Sequence, residues 1–567
     1  MNDDVPDALK QRLDAYEEKA RALFDAYHLG TPEALEKHYS FTWHRRALPV
    51  MRNYIELDLG KRPDSPGELV DLTMDDARYL IAMDHDYASW DELVKSVKSW
   101  PARSLMTAGP MSIRREPDEE SQILITSRNW NEVLDVLAEH PGAVLDARGQ
   151  MTDDMLKDVS RITGVTALQL GNSKTITDSG LRHLAGMPNL RNLNLSQTGV
   201  TDRGLEVLAT LPRLEMLSLV FTPVTDAGMV HLQKCHQLRR LNLMWTNTGD
   251  GAIRALAGKE HFTHLVSGNH VTNDGITALH DLPQLAKPQA SEVKTESSES
   301  KPNQVELRGT FNDEGLERMR GLDGLAALSV NDAPISARGM RPLISLANLE
   351  WLSVDPKDDW MQYIAAMPVL RHLGAQDTTA GDDGFIALSE SKSIEGIWGR
   401  RCHNLRTRGF VALSRMPRLR SLSVSCLNVD DSGVAALPDF PALRELMPMD
   451  VPDAGYRHIG KCLELEVLTL MYCRDTTDAA TEHITGLKKL RRYFNSYTTI
   501  TDRTPRLLST MDSLETVIFD ACNNLTNDGI ASLARLPRLK EVRVSGRSVT
   551  RDVAASFPAR VTVRYSP

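Results

Sequence analysis

Apolar residues return along residues 146–567 in two rhythms, and the pair of rhythms itself repeats. "TDSGLRHLAGMPNLRNLNLSQTGV", Thr177–Val200, is followed by "TDRGLEVLATLPRLEMLSLVFTPV", Thr201–Val224, and "TDAGMVHLQKCHQLRRLNLMWTNT", Thr225–Thr248, each 24 residues long. Within a block, "LxxLxL" sets apolar side chains at period two, which predicts a short strand with one buried side. A Thr, Asn or Cys follows (Thr198, Thr222, Thr246, Cys473, Cys522), small enough to bond neighbouring backbone. "TDxG" then predicts a turn and a helix start: Thr or Asp caps N–H groups that have no helical partner, and glycine permits close packing. "LxxLxxxxxL" continues with helical spacing. With the apolar residue after "DxG" as a ruler, about seventeen units run from Leu156 to Ala554, mostly 23–25 residues apart, with 40 residues before Leu316. One strand–helix unit cannot bury its own apolar side, so the units must stack.

This pattern resembles the leucine-rich repeat family, nearest its 24-residue, helix-bearing and cysteine-containing (ribonuclease-inhibitor-like) forms, over roughly residues 145–567. The resemblance implies an α/β solenoid, a horseshoe with a concave parallel sheet and convex helices. At ~4.8 Å per strand, seventeen strands would make an inner arc of ~80 Å. The expected organisation is a small all-helical module (1–100), a linker and solenoid cap (101–145), a first block of repeats (146–285), a flexible acidic and Ser-rich loop (286–304) and a second block (305–567). The loop, "AKPQASEVKTESSESKPNQ", holds no sizeable apolar residue except Val293 and cannot offset its ordering entropy.

The amino-terminal segment follows another logic. "LKQRLDAYEEKARALFDAY" reads as an amphipathic helix, "TPEALEKH" as a helix with Thr31 as N-cap and Pro32 in its first turn, and "LTMDDARYLIAMDHDYASWDELVKSV" as two more, the second with Ser89 and Glu92 in capping-box spacing. Tyr87, Ser89, Trp90, Leu93, Lys95 and Val97 resemble a helical element that precedes ankyrin repeats in many bacterial proteins, which implies a bacterial origin and a docked helical module. In the linker, "PARSLMTAGPMSIRREPDEES" reads as loop, and "NWNEVLDVLAEHPGAVLDARG" as a helix and first strand that cap the open end of the solenoid.

Composition changes this picture little. Apolar residues make up 41% and charged residues 25%, and the net charge of −10 argues against nucleic acid or acidic lipid as a partner. The start is acidic and unlike a secretory signal, no run is long enough to span a membrane, and six scattered cysteines suit a reduced, cytoplasmic protein. Cys402, Cys426, Cys473 and Cys522 recur at similar repeat positions and read as buried thiols. No phosphate loop, dinucleotide loop, nucleophile elbow or zinc-protease motif is present, His38 and His44 stand too loosely for a metal site, and neither cofactor nor catalysis is expected.

Alternation points the x residues of "LxLxx" out of the sheet's inner face. Asn194, Ser196 and Gln197 are followed there by Ser218, Val220 and Phe221, then by Asn242, Met244 and Trp245, so that Val220, Phe221, Met244 and Trp245 form one apolar patch. An acidic stripe (Asp332, Asp355, Asp377), a cationic and aromatic unit (Trp398, Arg400, Arg401) and a second aromatic patch (Tyr472, Phe494, Tyr497) follow. Exposed aromatic residues beside charges are the material of interface hot spots. The expected function is a non-enzymatic scaffold that grips another protein on its concave face. The alternative, a substrate-recognition subunit of a ubiquitin-ligase-like or regulatory complex, ranks second because residues 1–100 carry no F-box pattern.

Overall fold

A computed structural model describes residues 7–39, 48, 51–52, 55, 59, 61, 68–84, 89–99, 111–115, 122–127, 129–287, 303–331, 333–399, 402–471, 476–546 and 548–566. The chain divides into two compact units, Met1–Gly109 and Pro110–Pro567.

The first unit contains helices α1 (Asp7–Leu29), α2 (Pro32–Tyr39), α3 (Met74–Asp84) and α4 (Trp90–Ser99). On α1 the residues Tyr16, Ala20, Leu23 and Tyr27 recur at helical spacing, and all are buried together with Ala77, Leu80 and Ile81 of α3 and Leu93 of α4. Tyr27 is wholly buried, and its hydroxyl accepts the Val70 N–H at 3.1 Å, which satisfies its polar tip. Thr31 Oγ1 accepts the Ala34 N–H at 3.3 Å at the start of α2. At α3, Asp76 N–H donates to Thr73 Oγ1 at 3.1 Å while Thr73 N–H donates to Asp76 Oδ2 at 2.7 Å, a reciprocal cap. Tyr87 and the side chains of Glu92 and Val97 lie outside the described residues, as does His44; His38 is buried.

The second unit is built on one sheet of twenty strands. From β3 (Val144–Asp146) to β20 (Thr562–Ser566) the strands are parallel neighbours in chain order. Their second residues form a buried row in register, beginning Leu145, Leu168, Leu193, Leu217, Leu241 and Leu265. Period-two burial is therefore what the leucines specify. The return segments are shorter than continuous helices. In one unit a turn of α-helix, Asp178–Leu181, passes into a 3₁₀ turn, Arg182–Gly186, and in the next the whole segment Gly204–Thr210 is 3₁₀. "MPNL" and "LPRL" follow directly, and proline and the restriction it places on its predecessor stop each helix there.

Neighbouring units are tied by the "TD" pair. The aspartate of one unit accepts the threonine N–H of the next at 2.8–3.0 Å and its hydroxyl at 2.5–2.7 Å, as in Asp153–Thr177, Asp178–Thr201, Asp202–Thr225, Asp250–Thr272, Asp453–Thr477, Asp478–Thr501 and Asp502–Thr526. Each threonine also faces its own helix: Thr225 Oγ1 accepts the Ala227 N–H at 3.2 Å. At Gly228 the same carboxylate leaves no room for a side chain, whereas Ala480 and Thr504 stand at the equivalent place beside Asp453 and Asp478, with Thr504 Oγ1 donating to Asp478 Oδ1 at 2.7 Å. A Cβ on Gly228 would lie 2.5 Å from Asp202 Oδ1 and 3.0 Å from the Asp202 Cα.

Two sequence expectations change. "MSIRR", read as loop, is β1 (Met111–Arg115), which pairs antiparallel both with β2 (Gln122–Ser127) and with β3. Met111 and Ile113 are buried, and the hairpin covers the backbone edge that β3 would expose. Helix α5 (Trp130–Glu139) buries Val133 and Leu137 against the same end, with Asn129 as its N-cap. The stretch read as a flexible loop from 286 to 304 is ordered at both ends. A short helix runs to Ala286, and β9 (Gln304–Arg308) pairs in register with β8 (His264–Val266). Buried Asn303 secures the return through Nδ2, which donates to the Gln284 carbonyl at 2.9 Å and the Gly324 carbonyl at 2.8 Å. Residues 288–302 lie outside the described residues.

Gly228→Ala should lower the melting temperature and speed amide exchange across the Asp202–Thr225 contact, because overpacking of this kind costs about 1–3 kcal/mol. Gly142→Ala, where an added Cβ meets nothing within 4 Å, should melt at or above the parent temperature. Equal melting of the two variants would refute the clamp.

Candidate partner-binding face

The strands' first and third residues form two columns on the face opposite the helices. Phe221 and Trp245 do not belong to them. Strands β6 (Met216–Ser218) and β7 (Arg240–Asn242) end earlier, and both aromatic residues occupy the turn that follows, in left-handed backbone with φ of 55° and 61°. The turn recurs: Arg148, Asn172 and Gln197 hold φ of 48°, 65° and 56° at equivalent places. It is fixed by inter-unit bonds, Gln197 N–H to the Val220 carbonyl at 2.8 Å and Phe221 N–H to the Met244 carbonyl at 3.1 Å, while Thr222 Oγ1 donates to the Leu219 carbonyl at 2.6 Å. Backbone turn geometry, rather than strand alternation, thus directs the two rings. They stack with centroids 5.9 Å apart and planes at 18°. Val220 and Met244 beside them are half-buried.

The stack continues into a residue that sequence reading missed. Arg308, at the end of β9, sets its Cζ 4.7 Å from the centre of the Trp245 ring and pairs through Nη2 with Glu306 Oε1 at 2.9 Å. It crosses the intervening unit at Gly268. A Cβ there would lie 2.2 Å from Thr248 Oγ1 and 2.5 Å from the Thr248 carbonyl oxygen, so only glycine fits. Phe221, Trp245, Arg308 and Glu306 make a ladder of two rings, one cation and one carboxylate.

The other expected residues stand apart from it. Trp398 is the third residue of β13 (Gly396–Gly399) and is 51% exposed. Six strand-to-strand steps separate it from Trp245, roughly 29 Å at ordinary strand spacing. Around it opens a hollow of about 470 Å³ walled by Trp398, Met447 and the stacked pair Trp351–His372, whose ring centroids are 3.8 Å apart. Phe494 is half-buried in the third-residue column of β17 (Arg492–Ser496), between Thr469 and Ile518 in register, and Tyr497 is 44% exposed in another left-handed turn with φ of 54°. Arg400, Arg401, Tyr472 and Asp332 lie outside the described residues. Asp355 and Asp377 are exposed neighbours, with Asp377 N–H donating to Asp355 Oδ1 at 3.0 Å.

Another pattern unseen in the sequence precedes the strands. Arg191–Glu215, Arg491–Glu466 and Lys540–Glu515 pair across adjacent units at 2.9, 2.7 and 2.7 Å, and Arg239 lies 3.9 Å from Glu215. Exposed pairs of this kind contribute about 0–1 kcal/mol each, yet their alternating sign cancels charge along this edge of the face.

Cys235, Cys402, Cys426, Cys462 and Cys522 are all buried; Cys473 lies outside the described residues. Cys402 Sγ donates to the Gly399 carbonyl at 3.3 Å. Burial pushes the thiols of Cys402 and Cys462 up to about 12 and that of Cys235 up to about 11. Among the described residues no group of three His, Cys, Asp or Glu could hold a metal ion, and no helix is long and apolar enough to cross a membrane.

A family model described as a leucine-rich repeat matches residues 186–209, one 24-residue period of the register just described. The fold is a leucine-rich repeat solenoid. No curated protein matches the chain's sequence. Among solved structures, the leucine-rich repeat chain is similar to that in a TLR13–ssRNA13 complex (14% identity, TM-score 0.42, 70% of this chain and 65% of that one), so it spans less than two thirds of that relative. It is similar also to the internalin inlF from Listeria monocytogenes (17%, TM-score 0.25, 76% and 93%) and to a chain of the yeast Rad7–Elc1 complex (13%, TM-score 0.32, 76% and 90%). Likenesses this loose carry no argument about what the repeats bind.

Cys235, Cys402 and Cys462 should resist iodoacetamide at pH 8, where at most roughly one thiol in a thousand is ionised at a pKa near 11, and react after denaturation, as mapped by peptide mass. Their folded values lie above the unfolded value near 8.5. Their stabilising contribution is therefore full below pH 8.5 and should fall as pH rises towards 12.

Proposed function

We propose that the solenoid is a protein-binding scaffold and that the Phe221–Trp245–Arg308 ladder is a principal grip. The observation that carries this reading is energetic. Bulky residues in left-handed backbone cost on the order of 1–3 kcal/mol each, whereas the ring stack returns about 0.5–1.5 kcal/mol and the cation–π contact of part-buried Arg308 about 0.5–2 kcal/mol. The repeat itself does not call for aromatic side chains here, since Asn172 and Gln197 fill the same turn in neighbouring units. The rings, both half-buried, are held at a local loss of stability, as binding residues are. Arg308 is already neutralised by Glu306, which favours a polypeptide surface over phosphate groups, as does the net charge of −10.

Replacing both rings by glycine, Phe221→Gly with Trp245→Gly, relieves the strain while deleting the grip. The double variant should lose a protein captured by the parent chain in quantitative affinity mass spectrometry and should melt at or above the parent temperature. A drop in melting temperature with capture retained would show that the rings serve packing alone.

A further inference from the structure

The hollow around Trp398 is a second site with its own chemistry. In register, the first-residue column runs Trp351, His372, Gly396, Ser421, and the third-residue column Ser353, Gly374, Trp398, Ser423. At Gly396 and Gly374 the two columns lack the side chains that neighbouring strands supply, and the gap is floored by the strand backbone at Leu328, Leu352, Leu373 and Ile397, whose side chains are buried on the other face of the sheet. Gly396 also seats the histidine: a Cβ there would lie 2.8 Å from His372 Nδ1, so its absence lets the ring lie against Trp351. Half-exposed Trp398 forms the facing wall.

Three features define what fits. The volume, about 470 Å³, falls within the range of ligand pockets, ~300–1,000 Å³. The one carboxylate in the lining, Glu306, is engaged by Arg308, so a cationic guest gains little. Ser423 is buried to 7% exposure, and its Oγ has no hydrogen-bond partner. A space between the apolar walls of Trp351, Trp398 and Met447, with one buried hydroxyl unmet, matches a flat ring that carries one polar edge. Phenylalanine would leave Ser423 unmet, at a desolvation cost, and a sugar would bring many hydroxyls against the walls of Trp351, Trp398 and Met447. We propose that this hollow receives a tyrosine or tryptophan side chain of a polypeptide partner, its ring beside Trp398 and its O–H or N–H donated to Ser423 Oγ. The polypeptide source rests on the scaffold reading; the ring chemistry rests on the hollow itself.

Saturation-transfer NMR on the full chain tests it with N-acetyl-tyrosinamide, N-acetyl-tryptophanamide, N-acetyl-phenylalaninamide, N-acetyl-argininamide and glucose as probes. The tyrosine and tryptophan amides should bind, and the arginine amide and glucose should not. Gly374→Leu fills the space and should weaken both more than tenfold. It is sterically admissible, because the added Cβ meets Ser353 Oγ, a movable atom, at 3.0 Å, and β17 carries Phe494 in the same column. Ser423→Ala should weaken the tyrosine amide roughly three- to tenfold and leave the phenylalanine amide unchanged, a distinction that general loosening would not produce. The proposal is overturned if the tyrosine and tryptophan amides fail to bind, if glucose or the arginine amide binds as well as they do, if Gly374→Leu melts like the parent and still binds, or if Ser423→Ala weakens the tyrosine and phenylalanine amides alike. Should Gly374→Leu melt low, the Ser423 comparison decides. A chain that binds the amides but captures no protein would refute the scaffold and keep the hollow; the converse would refute the hollow alone.

Discussion

The carboxylate that reaches from one unit to the next is the constraint from which the rest of the solenoid follows. It accepts the threonine backbone and hydroxyl of its neighbour, faces a close-packed position filled mostly by glycine and elsewhere by Ala252, Ala480 or Thr504, and so fixes the spacing of units. Its tolerance is equally informative. Where threonine is replaced by Gly249, Gly381 or Arg406, the backbone N–H alone still donates to Asp226, Asp358 or Asp382 at 2.8 Å. Across the long excursion the pair becomes Asn273 with Asn312, which exchange two hydrogen bonds of 3.0 Å over a separation of 39 residues. The sheet remains in register there because this clamp and Asn303 restore the unit's geometry on both sides. A long insertion adds little closure cost once its ends are held, since that cost grows only with the logarithm of length.

What the sequence made legible follows from the same locality. The strand row, the stacking and the role of "TDxG" are carried by residues within one 24-residue period, so reading a single block reveals them. The capping hairpin was missed because Met111 and Ile113 alternate over only five residues among charges, and their burial depends on β3, more than thirty residues onward. Phe221 and Trp245 were found, though for an incomplete reason: alternation ends with the strand, and a left-handed turn directs them. Arg308 could not be found, because it lies 63 residues from Trp245 and reaches it only across Gly268. The hollow escaped for a related reason. Trp398 signals itself as an exposed aromatic residue, but Gly374 and Gly396 contribute by lacking side chains, and an absence acquires meaning only once the register sets it among occupied neighbours.

The division between what holds the fold and what varies on it is therefore spatial. The clamp and the leucine row lie between and beneath the units; the inner columns lie above them and take part in neither. Substitution in those columns is nearly neutral for stacking, which is why Asn194, Asn242, Trp398 and Phe494 can share one column. This freedom gives the strained turns their weight. At a position that Asn172 and Gln197 fill in neighbouring units, a phenylalanine and a tryptophan in successive units, with an arginine laid on the second, stand in strained backbone that the stacking of units does not call for.

In a stacked array each unit interacts with its neighbours alone, and stability is close to a sum of unit and interface terms. Strain at Phe221 and Trp245 is then confined to two units and the bonds between them, while the leucine rows on either side remain intact. The same confinement separates the ladder from the hollow: five strands intervene between Trp245 and Trp398, and among the described residues no shared side chain links the two except through Arg308 and Glu306. Glu306 lines the hollow while it holds Arg308 against Trp245, so it is the single residue through which occupation of one place could be felt at the other. If a guest in the hollow drew Glu306 away, Arg308 would lose its counter-charge and the ladder would turn cationic; if Glu306 stays with Arg308, the two places act as independent contacts for one extended partner. The bond of 2.9 Å between them, part-buried on both sides, favours independence, because breaking it would leave a partly desolvated arginine uncompensated.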